Sequence, residues 1–174
     1  CVTWPGRVPE GKRIDGLTYA LDLHATILDY AGVQPAEGIE SKSLRPLIEG
    51  KTDKTHDALH GAVFAHASCA HPEGEATRSA ARDVYAIYVR TDRWKYVLYT
   101  QAVGAKNQKY IWTVAQMGEP PERSKGQQNL YDLDADPYEM NDLSARPEHK
   151  ARLAAFRKQA LDWCQALGAQ TLVG

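Results

Sequence analysis

The fold is decided by VYAIYVR (residues 84–90), followed after TDR (91–93) by WKYVLY (94–99). Both runs are rich in β-branched and aromatic side chains, which favour extended strands. The three polar residues between them are typical of a turn. The stretch therefore predicts an antiparallel hairpin, and we expect the rest of the fold to be built around it.

Two more strands are predicted on either side of this hairpin. The apolar residues Leu59, Val63 and Phe64 predict one strand over 59–64, although Gly61 weakens it. The run NLYDL (129–133) predicts another, and the DADP that follows (134–137) predicts a turn that closes it. Two long polar segments separate these strands from the hairpin. Segment 68–82, before the hairpin, is expected to be a loop, and segment 101–128, after it, is expected to be an insertion.

The end of the chain predicts an amphipathic helix that begins at Pro147, a residue suited to a first helical position, and ends at Gly168. Apolar residues recur there at steps of three and four: Leu153, Phe156, Ala160, Trp163 and Leu167. This stripe would cover one face of the sheet. The predicted fold class is α+β, with an antiparallel sheet of about four strands packed by a long C-terminal helix.

The first third of the chain has a helical pattern. Over 17–31 the predicted inner face is Leu21, His24 or Ala25, Leu28 and Ala31, with Asp22 in the first turn and Gly32 as the stop. His24 is expected to be a partly buried, hydrogen-bonded structural histidine. A short helix over 43–49 has Ser43 as its predicted N-cap, and a polar linker follows over 51–57.

Composition excludes several classes of protein. The 174 residues include 21 Lys and Arg against 22 Asp and Glu, a net charge of −1, which argues against a nucleic-acid binder. Apolar residues make up 43%, enough for a core, and no run approaches the ~20 apolar residues that a membrane span needs. The chain opens on Cys1 rather than Met, and we expect it to be a piece of a longer protein.

The three cysteines, Cys1, Cys69 and Cys164, include no C-x-x-C pair. Their odd number and wide spacing argue against a disulfide framework and against a zinc ribbon. One disulfide with one thiol left over and three unrelated thiols both remain open. Cys164 is expected to be packed against the sheet.

Three groups of residues were weighed for chemistry. Asp132, Asp134 and Asp136 begin like a calcium-binding loop, but Pro137 and Leu143 occupy the positions that need Gly and Glu, so a turn is predicted instead. A second group lies within twelve residues: His60, His66, Cys69 and His71. It could form a zinc site or a thiol–imidazole nucleophile pair, or it could belong to a substrate-contacting loop or to an ordinary loop surface. Arg90, Arg93 and Lys95 could be solvated or could recognise an anion.

Five segments stand out in this order: WPGRVPEG (4–11), DLHATILDYAG (22–32), SLRPLIEG (43–50), VRTDRWKY (89–96) and LYDLDADPYE with NDL (130–139 and 141–143). Taken together, they resemble the C-terminal part of the formylglycine-dependent sulfatases of the alkaline phosphatase superfamily. Each is modest alone, but their order and spacing cover nearly the whole chain. The loop over 63–71 and the insertion before Leu130 are similar to the sulfamidase (heparan N-sulfatase) branch.

The resemblance implies a domain organisation and a missing catalytic centre. Residues 1–57 would be the end of a large α/β domain, and 58–174 a small α+β C-terminal subdomain. The family makes formylglycine from the Cys or Ser of C/S-x-P-x-R, a motif absent from this chain. The formylglycine and the calcium ion of the parent enzyme would therefore lie upstream, with no catalytic or metal residue here.

The resemblance also implies a role. We expect a C-terminal fragment of a sulfatase, acting on sulfuric esters or sulfamates, that braces the catalytic domain, lines the substrate cleft and is inactive alone. The loop over 66–78 would set substrate specificity through His66, His71 and Arg78. The expected partners are the rest of the sulfatase chain and a sulfated small molecule or glycan. A homodimer is plausible. The family implies a periplasmic or secreted location. The alternatives are a non-catalytic carbohydrate- or protein-binding module and a fragment of a related phosphodiesterase or phosphonate hydrolase.

Overall fold

The computed structural model describes residues 2–36, 38–39, 41–64, 84–100 and 124–167. The chain divides into two compact units, Cys1–Leu59 and His60–Gly174, and each is described by itself. Within the described residues, no helix is both long enough and apolar enough to cross a membrane.

The second unit is built on a four-stranded sheet with the order β1-β2-β3-β4. Its strands are β1 (Leu59–Phe64), β2 (Val84–Arg90), β3 (Trp94–Tyr99) and β4 (Gln128–Asp132). The predicted hairpin is confirmed with its predicted bounds: β2 and β3 are antiparallel, and Val89 lies opposite Tyr96. Strand β4 begins and ends one residue earlier than predicted, and beyond its last residue Leu133 still donates its N–H to Arg93 O at 2.7 Å.

The core lies between this sheet and the helix α3 (Lys150–Ala166), which follows a 3₁₀ turn at Pro147–His149. The strands bury five side chains that are at most 1% exposed: Ile87, Val89, Tyr96, Leu98 and Leu130. The Tyr96 and Phe156 rings stack at 6.1 Å between centroids, which joins the centre of β3 to α3. The predicted α+β class, with a four-stranded antiparallel sheet packed by the C-terminal helix, is therefore confirmed.

The apolar stripe predicted for α3 is partly wrong. The buried residues are Phe156, Ala160 and Cys164, which follow one another at four-residue steps along one side of the helix. Cys164 is packed as expected, and burial raises the pKa of its thiol. Leu167 is 52% exposed because it follows the last helical residue, Ala166. The predicted terminator, Gly168, lies outside the described residues.

The first unit contains α1 (Ala20–Ala31) and the short α2 (Arg45–Ile48). Gly32 ends α1 in the left-handed conformation with φ 71°, as its position predicted. The N-cap prediction for Ser43 is wrong, since Leu44 occupies that position. The Ser43 hydroxyl instead accepts the Arg45 N–H at 3.1 Å and donates to Asp29 Oδ2 at 2.6 Å, which ties α2 to α1.

The predicted inner face of α1 is partly wrong: Ala25 is buried as predicted, but Leu21, Leu28 and Ala31 are not. Its buried residues are Asp22, Ala25 and Thr26, whereas Leu21 is 56% and Ile27 67% exposed. His24 is exposed rather than partly buried. The polar side of the helix is the inner one because Asp22 and Thr26 find hydrogen-bond partners there, and the aliphatic side points outward.

Candidate functional site

The predicted specificity residues His66, His71 and Arg78 lie outside the described residues, but the strands on either side show where their loop joins the sheet. That segment follows β1 and precedes β2, two neighbouring strands. Because Ala86 lies opposite Tyr99 and Leu98 opposite Gln128, the start of β2, the end of β3 and the start of β4 share one end of the sheet. The predicted loop and the predicted insertion therefore connect to this same end, which we call the loop end.

The backbone at the loop end is held by hydrogen bonds between β3 and the approach to β4. Gly126, at φ 82°, donates its N–H to Tyr99 O at 2.7 Å, and Tyr99 donates its own to Gln127 O at 2.9 Å. One residue further in, the Tyr96 hydroxyl donates to Gln128 Oε1 at 2.8 Å. Burial raises the pKa of Tyr96 to about 12, so the phenol remains a neutral donor at physiological pH.

The opposite end of the sheet carries the basic cluster, and acidic partners occupy two of its three cations. Arg93 donates to both carboxylate oxygens of Asp132, at 2.9 and 2.6 Å. Lys95 contacts both oxygens of Glu139, at 2.8 and 2.6 Å. These pairs favour a structural role for Arg93 and Lys95 over anion recognition, and they leave the exposed Arg90 as the remaining member of the cluster.

The same contacts account for the acidic run after β4. The Arg93 guanidinium holds the pKa of the Asp132 carboxyl below its usual range. Asp136 donates its backbone N–H to Asp132 O at 2.7 Å, which closes the predicted turn. Because Arg93 occupies the carboxylate of Asp132, the run has the geometry of a turn rather than of a calcium loop.

Among the four residues weighed as a metal or thiol cluster, only His60 is described. Its ring stacks on Trp163 of α3 at 5.7 Å between centroids, with an interplanar angle of 18°. Across the described ranges no three His, Cys, Asp or Glu side chains come together to hold a metal ion. The motif C/S-x-P-x-R is absent from the sequence.

A buried polar cluster in the first unit was missed by the sequence analysis. Asp22 is fully buried, and its Oδ2 accepts the Tyr19 N–H at 2.7 Å. Its Oδ1 accepts the Lys42 N–H at 2.9 Å, and His56 Nε2 lies 2.8 Å from Oδ2. The carboxylate thus joins the start of α1, the segment before α2 and the linker that follows it.

Thr26 extends this cluster by one turn of α1. Its hydroxyl donates to Asp22 O at 2.6 Å and accepts the Leu44 N–H at 2.8 Å. The signal for the cluster in the sequence is weak: Asp22 stands at the third position of the helix, where an acidic side chain caps the helix start. Its other donors lie 20 and 34 residues away along the chain.

The outward side of α1 carries an apolar surface, which we call the α1 face, made of Leu23 and Ile27, which lie one turn apart. Beside it lies a concavity of about 350 Å³, lined by Val2, Thr3, Trp4, Val8, Leu23, Thr26, Ile27 and Tyr30. The Trp4 and Tyr30 rings meet edge to face at 5.5 Å. The Tyr30 hydroxyl is buried without a hydrogen-bond partner among the described residues, which is energetically costly.

The fold and these contacts define a small α+β domain that follows the helices of another unit, an arrangement found in the C-terminal part of sulfatases. The family model described as "N-sulphoglucosamine sulphohydrolase, C-terminal" matches residues 1–108, more than half of the chain. The chain therefore belongs to this family. The predicted resemblance to the C-terminal part of an alkaline-phosphatase-like sulfatase is confirmed.

One relative is the ulvan-active sulfatase of Formosa agariphila, which is 25% identical over 165 residues, 95% of this chain and 32% of that protein. The chain thus spans about a third of its relative's length. The phosphonate monoester hydrolase of Silicibacter pomeroyi shares the fold with a TM-score of 0.62 at 18% identity, covering 93% of this chain and 28% of that one. The protein BT4656, in complex with its substrate D-glucosamine-2-N,6-O-disulfate, gives a TM-score of 0.53 at 19% identity, over 83% and 23%.

Proposed function

We propose that this chain is the C-terminal portion of a sulfatase, that it braces the catalytic portion and lines the substrate cleft, and that it has no turnover alone. The observation that carries the proposal is the family match over residues 1–108. The absence of C/S-x-P-x-R from the chain supports the last part, because the family's nucleophile is made from that motif.

The α1 face supports the bracing role. A helix that buries Asp22 and Thr26 while exposing Leu23 and Ile27 has its aliphatic side directed at a partner. The partner we propose is the rest of the sulfatase chain, which would also supply the formylglycine and the calcium ion. A homodimer through the same face is the competing occupant, and the solution mass of the full-length protein distinguishes the two.

The proposed cleft-lining residues are His66, His71 and Arg78. Imidazole and guanidinium groups donate hydrogen bonds to sulfate oxygens, and the planar fork of arginine matches two of those oxygens at once. Their segment joins the loop end of the sheet, where the predicted insertion also joins. Two long connections at one end of a sheet are a common way to build a ligand-contacting rim.

A sulfated sugar is the substrate class we propose, with an N-sulfated glucosamine as the first compound to test. The ulvan-active sulfatase among the relatives and the substrate bound to BT4656 support this choice. The family description, which names N-sulphoglucosamine sulphohydrolase, supports the sulfamidase branch. Phosphonate monoester hydrolysis is the second candidate, favoured by the likeness to the Silicibacter pomeroyi enzyme.

Turnover assays of the full-length protein and of this chain alone test the proposal. The compounds are an aryl sulfate, an N-sulfated glucosamine and an aryl phosphonate monoester. We expect the full-length protein to prefer a sulfated compound and the isolated chain to release no product. Turnover by the purified chain would contradict the proposal. A preference for the phosphonate would favour the second candidate, and an inactive full-length protein that binds the sugar would favour the non-catalytic module.

The proposed specificity residues need a separate measurement in the full-length protein. Replacing His66, His71 or Arg78 with Ala should raise KM for the sulfated sugar while kcat changes less, since these groups would bind the substrate rather than react with it. Lys158→Ala is the matched control, because Lys158 is an exposed helix residue whose contact is an exposed pair with Asp162. An unchanged KM in all three variants would remove the loop from the cleft.

A further inference from the structure

The linker over 51–57 carries one buried side chain in an otherwise exposed or half-exposed run. His56 is buried, whereas Lys51, Thr52, Asp53, Lys54 and Asp57 are exposed. The His56 ring meets the Tyr19 ring edge to face at 5.0 Å, and its Nε2 lies 2.8 Å from the carboxylate of Asp22. The linker is therefore fastened to α1 through a buried side chain that enters the interior of the first unit.

The chemistry of this contact makes it a strong fastening. Asp22 receives two backbone N–H groups, from Tyr19 and Lys42, so the carboxylate is held in place before His56 reaches it. A carboxylate with fixed donors accepts the imidazole N–H in one geometry. Without His56 a fully buried carboxylate would lose its side-chain partner, a costly arrangement.

A second contact secures the same point of the linker. Lys42 Nζ donates to Thr55 O at 3.2 Å, so Lys42 holds Asp22 by its backbone and the linker by its side chain. By contrast, Lys54 and Asp57 form a 3.0 Å ion pair within the linker in which the aspartate is almost fully exposed. Such exposed pairs contribute little to stability. The buried contact, not the exposed one, fixes the course of the linker.

We infer that His56 is a positioning residue: by binding the carboxylate of Asp22 it fixes the course of the linker over 51–57 on the first unit. The segment that follows β1 contains His66, His71 and Arg78, so in the parent enzyme the contact would act on substrate binding through those residues. This last consequence rests on the proposed function, whereas the fastening of the linker does not.

Limited proteolysis with trypsin tests the fastening on this chain. Lys51 and Lys54 lie in the linker, and Arg157 and Lys158 on α3 report on the second unit. We expect His56→Ala to speed cleavage after Lys51 and Lys54 by about tenfold or more, because proteolysis follows the population of the opened segment. Cleavage on α3 should stay at the wild-type rate.

Two matched variants separate positioning from general stability. His56→Gln places an amide N–H near the position of the imidazole Nε2 and should restore most of the protection. Asp57→Asn breaks the exposed pair in the same linker and should leave the cleavage rate unchanged. Linker cleavage in His56→Ala at the wild-type rate would overturn the inference, as would equal acceleration on α3, since that would show global unfolding.

The same variants in the full-length protein test the consequence for substrate. We expect His56→Ala to raise KM for the sulfated sugar severalfold with kcat within about twofold, and His56→Gln to return KM towards the wild-type value. A released linker with an unchanged KM would contradict the cleft-lining part of the proposed function while upholding the role of His56 on the linker. A protected linker would overturn the inference itself, whatever the activity.

Discussion

The contact between Gly61 of β1 and Tyr88 of β2 leads to a prediction whose sign depends on a second residue. A Cβ added to Gly61 would overlap the Cε1, Cζ and Oη atoms of the Tyr88 ring. The Gly61 backbone does not have the positive φ that would itself exclude alanine. The ring therefore lies flat on the glycine, an arrangement that covers a bare strand backbone with an aromatic side chain and helps to fix strand register.

Two opposing terms set the effect of Gly61→Ala. Glycine within a strand costs roughly 0.5–1 kcal/mol relative to alanine, so the substitution should stabilise the sheet if the space were free. Forcing an extra methyl group against a packed ring costs typically about 1–3 kcal/mol. We expect the second term to win, and Gly61→Ala to lower the free energy of opening of β1 and β2 by about 1 kcal/mol.

The sign should reverse once the ring is removed. In a Tyr88→Ala background, Gly61→Ala should stabilise the sheet by roughly 0.5–1 kcal/mol, because only the backbone term remains. Native-state hydrogen exchange of the β2 and β3 amides measures the opening free energy in all four proteins. Gly16→Ala is the control, since its Cβ would meet Leu47 Cδ2 at an ordinary 3.6 Å. The same change in both backgrounds would refute the reasoning, and a neutral Gly61→Ala would show that the ring moves aside freely.

Three further outcomes follow from the described contacts. Arg93 lowers the pKa of Asp132, so the pair stabilises the folded state above the usual Asp pKa of about 3.9 and this stability is lost as pH falls through the lower pKa of the folded state. Asp132→Asn should therefore make the free energy of unfolding less dependent on pH in this acid range. An unchanged pH dependence would contradict this. Absorbance titration should show one tyrosine ionising near pH 12 that Tyr96→Phe removes, and a lower value would mean that the ring is hydrated. Ile27→Glu should change the stability of this chain by less than about 0.5 kcal/mol yet lower the Tm of the full-length protein, with Ala155→Glu at an exposed position of α3 as control; equal effects would remove the α1 face as an interface.

The sheet was predictable because its signals are local. Strands β2 and β3 combine β-branched and aromatic residues around a three-residue turn, and their bounds were predicted without error. The helix α3 was predicted from the same kind of local pattern. Its buried side was shifted, since four-residue steps from Phe156 lead to Cys164 rather than to Leu167. The periodicity of apolar residues predicts where a helix lies, but it predicts less well which side of the helix is buried.

The orientation of α1 could not be predicted from periodicity, because its polar side is the inner one. A pattern-based prediction places leucine inside and aspartate outside, which is right only where the aspartate has no buried donors. Asp22 has them, but they come from Lys42 and His56, far along the chain. The ion pairs of Arg93 and Lys95 were missed for the same reason, as their partners lie 39 and 44 residues away. Contacts of this kind depend on the fold and leave little trace in local sequence.

Both units bury apolar side chains, but the helix α1 of the first unit also turns a carboxylate inward. The second unit buries its large apolar residues between sheet and helix, as a domain with its own core does. The first unit buries Leu17, Leu44, Leu47 and Ile48, and its helix α1 buries Asp22 and Thr26 while Leu23 and Ile27 are exposed, an arrangement that suits a partner over those two side chains. Under the proposed function, the rest of the sulfatase would cover Leu23 and Ile27, and the sheet of the second unit would carry the loop that contains His66, His71 and Arg78. A loop can set specificity only if the strands beside it are fixed, which the pairing of β2 with β3 would provide.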